Sequence, residues 1–356
     1  MRHAVIMAGG AGVRLWPLSR QGRPKQLLRI FRGTSLLRQS YDRIAAIFPP
    51  EQINVITNQA HLPLVAEEIP ELPAANLFGE PVGRDTANAV GLASAVLAQR
   101  DPEAVIGVFT ADHIITPMDR FCSAVNAAFE AAEHESDALV TMGIKPAQPE
   151  TGYGYIRRGE RIRDGVFEVK QFTEKPNLAE AVKYIASGEY YWNSGMFVWQ
   201  ASTVLEQLKK HLPQTFESID EIAQAWSSDS RQQKLERLYP KLLKISIDFA
   251  VMERADRVLV VEMNCQWVDV GSWPAIEAIV ESDGDGNVTT GSHVSHLGSR
   301  GNIVITESDH LIATIGVDDL VIVHSPDATL ICKRRDAQSI KELVDNIRKE
   351  FGEKYL

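Results

Sequence analysis

Apolar residues come in short runs through the first half of the chain, with stretches of helical spacing between them. Residues 4–7, 52–57, 105–110 and 138–144 read as buried strands, and 35–47, 87–99 and 121–133 read as helices. This alternation predicts an α/β fold: a Rossmann-like, mostly parallel mixed sheet with helices on both faces. Functional residues are then expected at the carboxyl ends of the strands. A mixed region follows, with a glycine loop at 152–154, a strand at 167–172, a strand at 195–200 and a mainly helical stretch at 201–244. The pattern changes at the turn-rich Asp283-Gly284-Asp285-Gly286-Asn287. Beyond it, short β segments at 302–306, 311–315, 320–324 and 329–333 predict a small C-terminal β domain, short and β-helix-like. An amphipathic helix closes the chain, with Ile340, Leu343, Val344, Ile347 and Phe351 on one face. That face docks on its own chain or on a second copy. The expected domains are 1–285 and 286–356.

The first strand runs into Gly9-Gly10-Ala11-Gly12-Val13-Arg14, and Pro24-Lys25-Gln26 follows. Glycines let backbone N–H groups converge on an anion, and nearby cations neutralise phosphate charge. The spacing fits neither a Walker A loop, which needs Lys-Ser or Lys-Thr after the glycines, nor the dinucleotide fingerprint, whose third glycine is missing. A glycine cluster alone reads as a tight turn, but a turn has no use for Arg14 and Lys25 at this spacing, so the run reads as a nucleoside-triphosphate site.

Composition narrows the class. The 356 residues are 44% hydrophobic and 24% charged, ordinary for a globular protein. A net charge of −10 argues against a general nucleic-acid binder but leaves room for a local cationic site. Three scattered cysteines without metal-ligand spacing suit reduced thiols and a cytoplasmic setting. No apolar run reaches the roughly 20 residues of a membrane span, and the N-terminal run is too short for a signal peptide.

Further candidate chemistry sits near strand ends. Asp112, in Thr110-Ala111-Asp112-His113, fits a hard divalent cation bridging nucleotide phosphates, or a turn cap. Asp269, in Trp267-Val268-Asp269-Val270, lies between apolar residues, where an unpaired carboxylate is costly and a metal removes the cost. His113 reads as a supporting residue rather than a ligand. Glu80, in the loop Glu80-Pro81-Val82-Gly83-Arg84-Asp85-Thr86, matches the adjacent N1–H and 2-amino donors of guanine, while Asp85-Thr86 also reads as a helix cap. Glu174-Lys175-Pro176 offers a hydroxyl acceptor and a phosphate partner, or merely a charged turn. Asn193 suits a sugar hydroxyl, and Gly195 allows close ligand approach or marks a bulge.

Together these stretches resemble the sugar-1-phosphate nucleotidyltransferases, over roughly residues 1–285. The signature Gly-x-Gly-x-Arg-Leu-Trp-Pro-Leu-Ser-Arg followed by Pro-Lys-Gln is present in full from Gly10 to Gln26, and its Trp16-Pro17-Leu18-Ser19-Arg20 portion favours the guanylyl branch. The stretches at 80–87, 111–113, 152–156, 172–176, 192–197, 246–253 and 267–273 follow in family order. The resemblance implies transfer of GMP from GTP to α-D-mannose 1-phosphate, assisted by Mg²⁺. It implies Arg14 and Lys25 as catalytic residues, and Ala8, Gly9, Gly10, Gly12, Arg14, Lys25, Glu80, Arg84, Thr86 and Asp112 at the nucleotide. Gly152, Tyr153, Gly154, Glu174, Lys175, Asn193 and Asp269 would bind the sugar phosphate, and Asp112 and Asp269 the metal. A homodimer through the C-terminal region, with neither nucleic acid nor membrane as partner, completes the expectation. Asp85 stands where many relatives have Asn, Asn88 where they have Pro, and Phe249, read as a packing position, where many have Tyr. The chain after Asp283 is short for the isomerase barrel of bifunctional relatives, which implies a single activity. The rival readings are the same chemistry on another sugar or base, and a non-catalytic regulatory subunit. The subunit reading sits poorly with the retained Arg14 and Lys25.

Overall fold

A computed structural model describes residues 1–10, 12–30 and 33–356. Among these residues the chain divides into two compact units that interleave along the sequence. The first comprises Met1–Gly9, Asp42–Thr110 and Ile115–Gln266, and the second Gly10–Tyr41, Ala111–Ile114 and Trp267–Leu356.

The first unit is built on a mixed sheet of nine strands among the described residues. In spatial order they are Leu77–Glu80, Ile53–Asn58, Arg2–Met7, Val105–Thr110, Tyr190–Gln200, Leu139–Ile144, Val258–Met263, Val166–Thr173 and Tyr155–Arg163. The first four pair in parallel, as does Leu139–Ile144 with Val258–Met263. Antiparallel pairing enters with Tyr190–Gln200, inserted between Val105–Thr110 and Leu139–Ile144.

Alternation along Val105–Thr110 shows how both faces are covered. Ile106 and Val108 share a core with helix Thr86–Arg100. Phe109 packs edge-on against Phe121, and Gly107 leaves room for Phe129, both on helix Met118–His134. Residues 87–97 of helix Thr86–Arg100 are all buried, because helices Ala201–His211 and Pro213–Gln224 cover its other side. Gly91 makes that packing feasible: a Cβ there would lie 2.9 Å from Ile219 Cδ1.

The second unit carries the C-terminal β structure. Val288–Thr290, Ile303–Thr306 and Leu320–Ser325 stack in parallel, and Val294–Leu297 pairs in parallel with Ile312–Ile315, the coil of a short β-helix. Buried Asn287 and Asn302 stack at its corner: Asn302 Nδ2 donates to Asn287 Oδ1 at 3.0 Å and to the Val317 carbonyl at 2.8 Å. The closing helix is Ile340–Phe351. Its Ile340 and Val344 are buried and Ile347 packs on the same core, so this face docks on its own unit, whereas Leu343 and Phe351 are exposed. That core also takes in Leu15, Trp16, Leu18 and Leu28 of the signature segment.

Candidate active site

In the second unit the glycine-rich signature segment folds back on itself. Gly12 has φ 60°, and Ser19 Oγ donates to its carbonyl at 2.7 Å. A side chain at Gly12 would overlap the Lys25 stem, so glycine lets Lys25 cross the loop. The Lys25 ammonium pairs with Asp112 Oδ2. Burial alone would lower the Lys25 pKa, but the charges of Asp112 and Asp269 more than offset it, and the pKa is raised. Burial likewise opposes ionisation of Asp112, yet Lys25 first and His113 next hold its carboxyl below the usual range. Lys25 is therefore an ammonium and Asp112 a carboxylate at neutral pH.

Asp269 stands beside this pair. Oxygen or nitrogen atoms of Asp112, His113 and Asp269 lie within 4.8 Å of one another. Asp269 Oδ1 is buried without a hydrogen-bond partner, an expensive state that a cation relieves. Two carboxylates suit a hard, oxygen-preferring cation, so these residues fit a divalent metal. Trp267 Nε1 donates to His113 Nδ1 at 3.1 Å; an indole can only donate, so this nitrogen is an acceptor and Nε2 carries the proton, 3.9 Å from Asp112 Oδ1. His113 thus stands beside Asp112 without a hydrogen bond to that oxygen, its ring placed by Trp267. Arg14, on the turn Val13–Leu15, is exposed and donates to Gln338 Oε1 at 2.8 Å. Ala11, in the expected amide cradle, lies outside the described residues.

The first unit carries two further groups. Ala8 follows the first strand; its N–H donates to the Ile56 carbonyl and its carbonyl accepts from Thr57 Oγ1, which spends both on the fold. A side chain at Gly9 would begin 3.8 Å from Glu80 Oε2, so the loop backbone and this carboxyl are close neighbours. Glu80 is buried and Tyr239 Oη donates to its Oε1 at 2.6 Å. Burial dominates and pushes the Glu80 carboxyl up to about 7, against the opposing effect of the Tyr239 bond. The loop after Glu80 is laced to the segment 239–247. The Arg84 guanidinium donates to the Pro240 carbonyl, Asn88 Nδ2 to the Leu243 carbonyl at 2.8 Å, and the Ile247 N–H to Thr86 Oγ1 at 2.9 Å. Arg84 and Thr86 therefore shape the loop through the backbone. Asn88 supplies bonds that a proline could not, and Asp85, the cap of helix Thr86–Arg100, sits at φ 70° and ψ 173°, a strained conformation outside the left-handed helical region that neither Asp nor Asn favours.

The second group gathers around Asn193. Its Nδ2 donates to Asp248 Oδ1 at 2.8 Å, and its Oδ1 accepts from the Gly195 N–H at 3.1 Å. Gly195 has φ 68° in a strand whose register with Leu139–Ile144 shifts, so it marks a bulge. Glu174 packs against Gly154, where a Cβ would displace its carboxylate, and pairs with Lys175. Lys175 holds φ 48°, strained for a lysine and costing on the order of 1–3 kcal/mol, as is seen where a side chain must be aimed. Gly152 borders open space, and the Tyr153 ring meets Trp192 edge-on.

One residue of each group escaped the sequence reading. Asp248 sits in the π-turn Asp248–Met252; burial, then the charge of Glu174, pushes it up to about 6. Tyr239, the partner of Glu80, lies in a helical stretch with no motif. For Asp248 a signal existed, a lone acid among apolar residues in Ser246-Ile247-Asp248-Phe249-Ala250-Val251. Phe249 is 47% exposed, which corrects its reading as a packing position.

Comparison with known proteins gives a consistent picture. Residues 3–286 match the family model described as nucleotidyl transferase, and 291–347 match that of the mannose-phosphate isomerase/GMP-like β-helix domain. A mannose-1-phosphate guanylyltransferase of Escherichia coli K12 is 41% identical over 97% of this chain and 73% of its own length. A putative mannose-1-phosphate guanylyltransferase of Vibrio cholerae is 38% identical over 99% of this chain and 75% of its own. A crystal structure from Thermus thermophilus, described as a mannose-1-phosphate geranyltransferase, superposes with a TM-score of 0.87 at 36% identity, covering 98% of this chain and 99% of that one.

Proposed function

The chain belongs to the nucleotidyl transferase family, and from that premise we propose that it transfers GMP from GTP to α-D-mannose 1-phosphate, releasing GDP-mannose and pyrophosphate. The observation that carries the proposal is the Lys25–Asp112 pair with Asp269 beside it and Arg14 on the same unit, in a chain that shares full-length identity with mannose-1-phosphate guanylyltransferases.

The sugar phosphate is already an anion, so attack on the α-phosphorus needs no general base, and catalysis reduces to positioning and charge neutralisation. Arg14 and the amides of Gly9, Gly10 and Gly12 hold the triphosphate. Lys25, kept charged by its two carboxylates, stabilises negative charge that builds at the α-phosphate and the leaving pyrophosphate. Asp112 and Asp269 hold Mg²⁺, which when bound draws charge from the phosphate oxygens. Glu80 accepts from guanine N1–H and the 2-amino group. Lys175 takes the sugar phosphate; Glu174 and the 152–154 backbone take mannose hydroxyls, and Asn193 acts with Asp248, which we add as a hydroxyl acceptor.

The division into a catalytic domain at 1–285 and a β domain at 286–356 is part of the proposal, and the two family matches support it. So is a homodimer through the C-terminal region. Leu297 and Ile315, paired in register and 67% and 74% exposed, support that reading. No helix among the described residues is long and apolar enough to cross a membrane, and a cytoplasmic location is proposed on the cysteine usage.

The test is GDP-mannose formation by wild type and Asp112→Asn across a Mg²⁺ titration. Wild type should release one pyrophosphate per GDP-mannose. Asp112→Asn should lose metal-dependent turnover while melting normally; unchanged metal dependence would remove Asp112 from the site.

A further inference from the structure

We infer that Gln338, an exposed side chain of the C-terminal region, is a positioning residue that aims the Arg14 guanidinium at the GTP phosphates without neutralising it. The inference rests on the proposed function for the identity of the ligand. Its structural basis lies wholly within the second unit.

Arg14 Nη1 donates to Gln338 Oε1 at 2.8 Å, across 324 residues of sequence. Among the described residues Arg14 forms no ion pair. Its hydrogen-bond partner is thus a neutral amide, which restrains where the guanidinium points and leaves its charge for an anion. Both ends of the bond are held firmly. Gln338 sits on the turn Arg334–Ser339, which is anchored by buried Ala337, by the Arg334 N–H on the Asp319 carbonyl at 2.8 Å and by the Arg334–Glu277 pair. The turn carrying Arg14 is anchored by buried Leu15 and by Trp16, whose Nε1 donates to the Tyr355 carbonyl at 2.8 Å and whose own carbonyl accepts from Trp273 Nε1 at 3.1 Å. The Arg20 guanidinium also donates to the Tyr355 carbonyl and pairs with Asp327 at 2.7 Å. The Trp-Pro-Leu-Ser-Arg run of the signature is therefore a socket for the C-terminal segment. Arg14 Nη2 passes 3.4 Å from where a side chain on Gly271 would begin, so glycine there keeps its path open beside Asp269.

Because Gln338 is exposed and its neighbours Ala337 and Ile340 do the packing, replacing it should spare the fold. The experiment compares wild type, Gln338→Met and Gln338→Glu, each alone and combined with Arg14→Met. It reads KM for GTP, KM for mannose 1-phosphate, kcat and Tm. Gln338→Met should raise KM for GTP by about tenfold, the scale of one hydrogen bond to a charged group. Gln338→Glu should raise it at least as much, because its carboxylate cancels the Arg14 charge. KM for mannose 1-phosphate and Tm should not move, and neither substitution should matter once Arg14 is gone. KM for GTP within twofold of wild type, or an equal effect in the Arg14→Met background, would overturn the inference. GTP affinity by calorimetry gives the same comparison without turnover. Wild type that binds GTP but releases no pyrophosphate overturns only the functional reading, and wild type that binds no GTP overturns both.

Discussion

With its carboxyl pushed up to about 7 by burial, Glu80 changes protonation within the working range of an enzyme. The proposed reading of guanine by Glu80 needs the ionised form, since a protonated oxygen would face the N1–H donor. KM for GTP should therefore rise as pH falls below 7, by up to about tenfold per unit, and the rise should vanish in Glu80→Gln. Stability runs the other way. The unfolded carboxyl ionises near 4.5 and the folded one near 7, so the contribution of Glu80 is fully present below about 4.5 and is lost as pH rises through 7. Glu80→Gln should thus gain on wild type over that climb, by on the order of 3 kcal/mol. A flat KM profile in wild type would show that the base is read elsewhere. Lys25, Asp112 and Asp269 could be singled out in the sequence by their places after a glycine turn, at a strand end and among apolar residues, and the structure brings the three side chains together. Tyr239 could not be, because a tyrosine in a helical stretch has no pattern that points across 159 residues to Glu80.

Elements with a clear period were legible almost to the residue, as in Val105–Thr110, Thr86–Arg100 and the closing Ile340–Phe351. Those without one were not. Tyr190–Gln200 was seen only from Gly195, because the bulge there breaks the alternation of its first half. Tyr155–Arg163 was missed because its four arginines erase the apolar run; only Tyr155–Arg157 pair on both sides, with Val166–Thr173 and Tyr190–Gln200, and the charged remainder pairs with Val166–Thr173 alone. The signature loop tests whether local geometry serves chemistry. Gly12→Ala forces a side chain onto the Lys25 stem at a φ that L-residues resist, so it should cost about 1 kcal/mol or more of stability. The same overlap should displace Lys25 and lower kcat by at least tenfold in steady-state assay. A variant that loses stability but keeps its kcat would detach the loop from catalysis.

For the whole molecule, the sequence indicated the mixed α/β sheet, the β-rich C-terminal region and the family signature. It did not indicate that Gly10–Tyr41 and Ala111–Ile114 cluster with Trp267–Leu356. That grouping depends on a core joining Leu15, Trp16 and Leu28 to Val270, Trp273, Ile303 and Val321, contacts too distant in sequence for periodicity to register. It also explains why a residue as late as Gln338 reaches Arg14.

The central claim is GMP transfer to mannose 1-phosphate. It is tested most directly by pyrophosphate release from the purified chain with Mg²⁺, crossing GTP, ATP, UTP and dTTP against mannose 1-phosphate and glucose 1-phosphate. The account predicts release with GTP and mannose 1-phosphate and little with any other pair; release confined to a different pair, or none from folded protein, would contradict it.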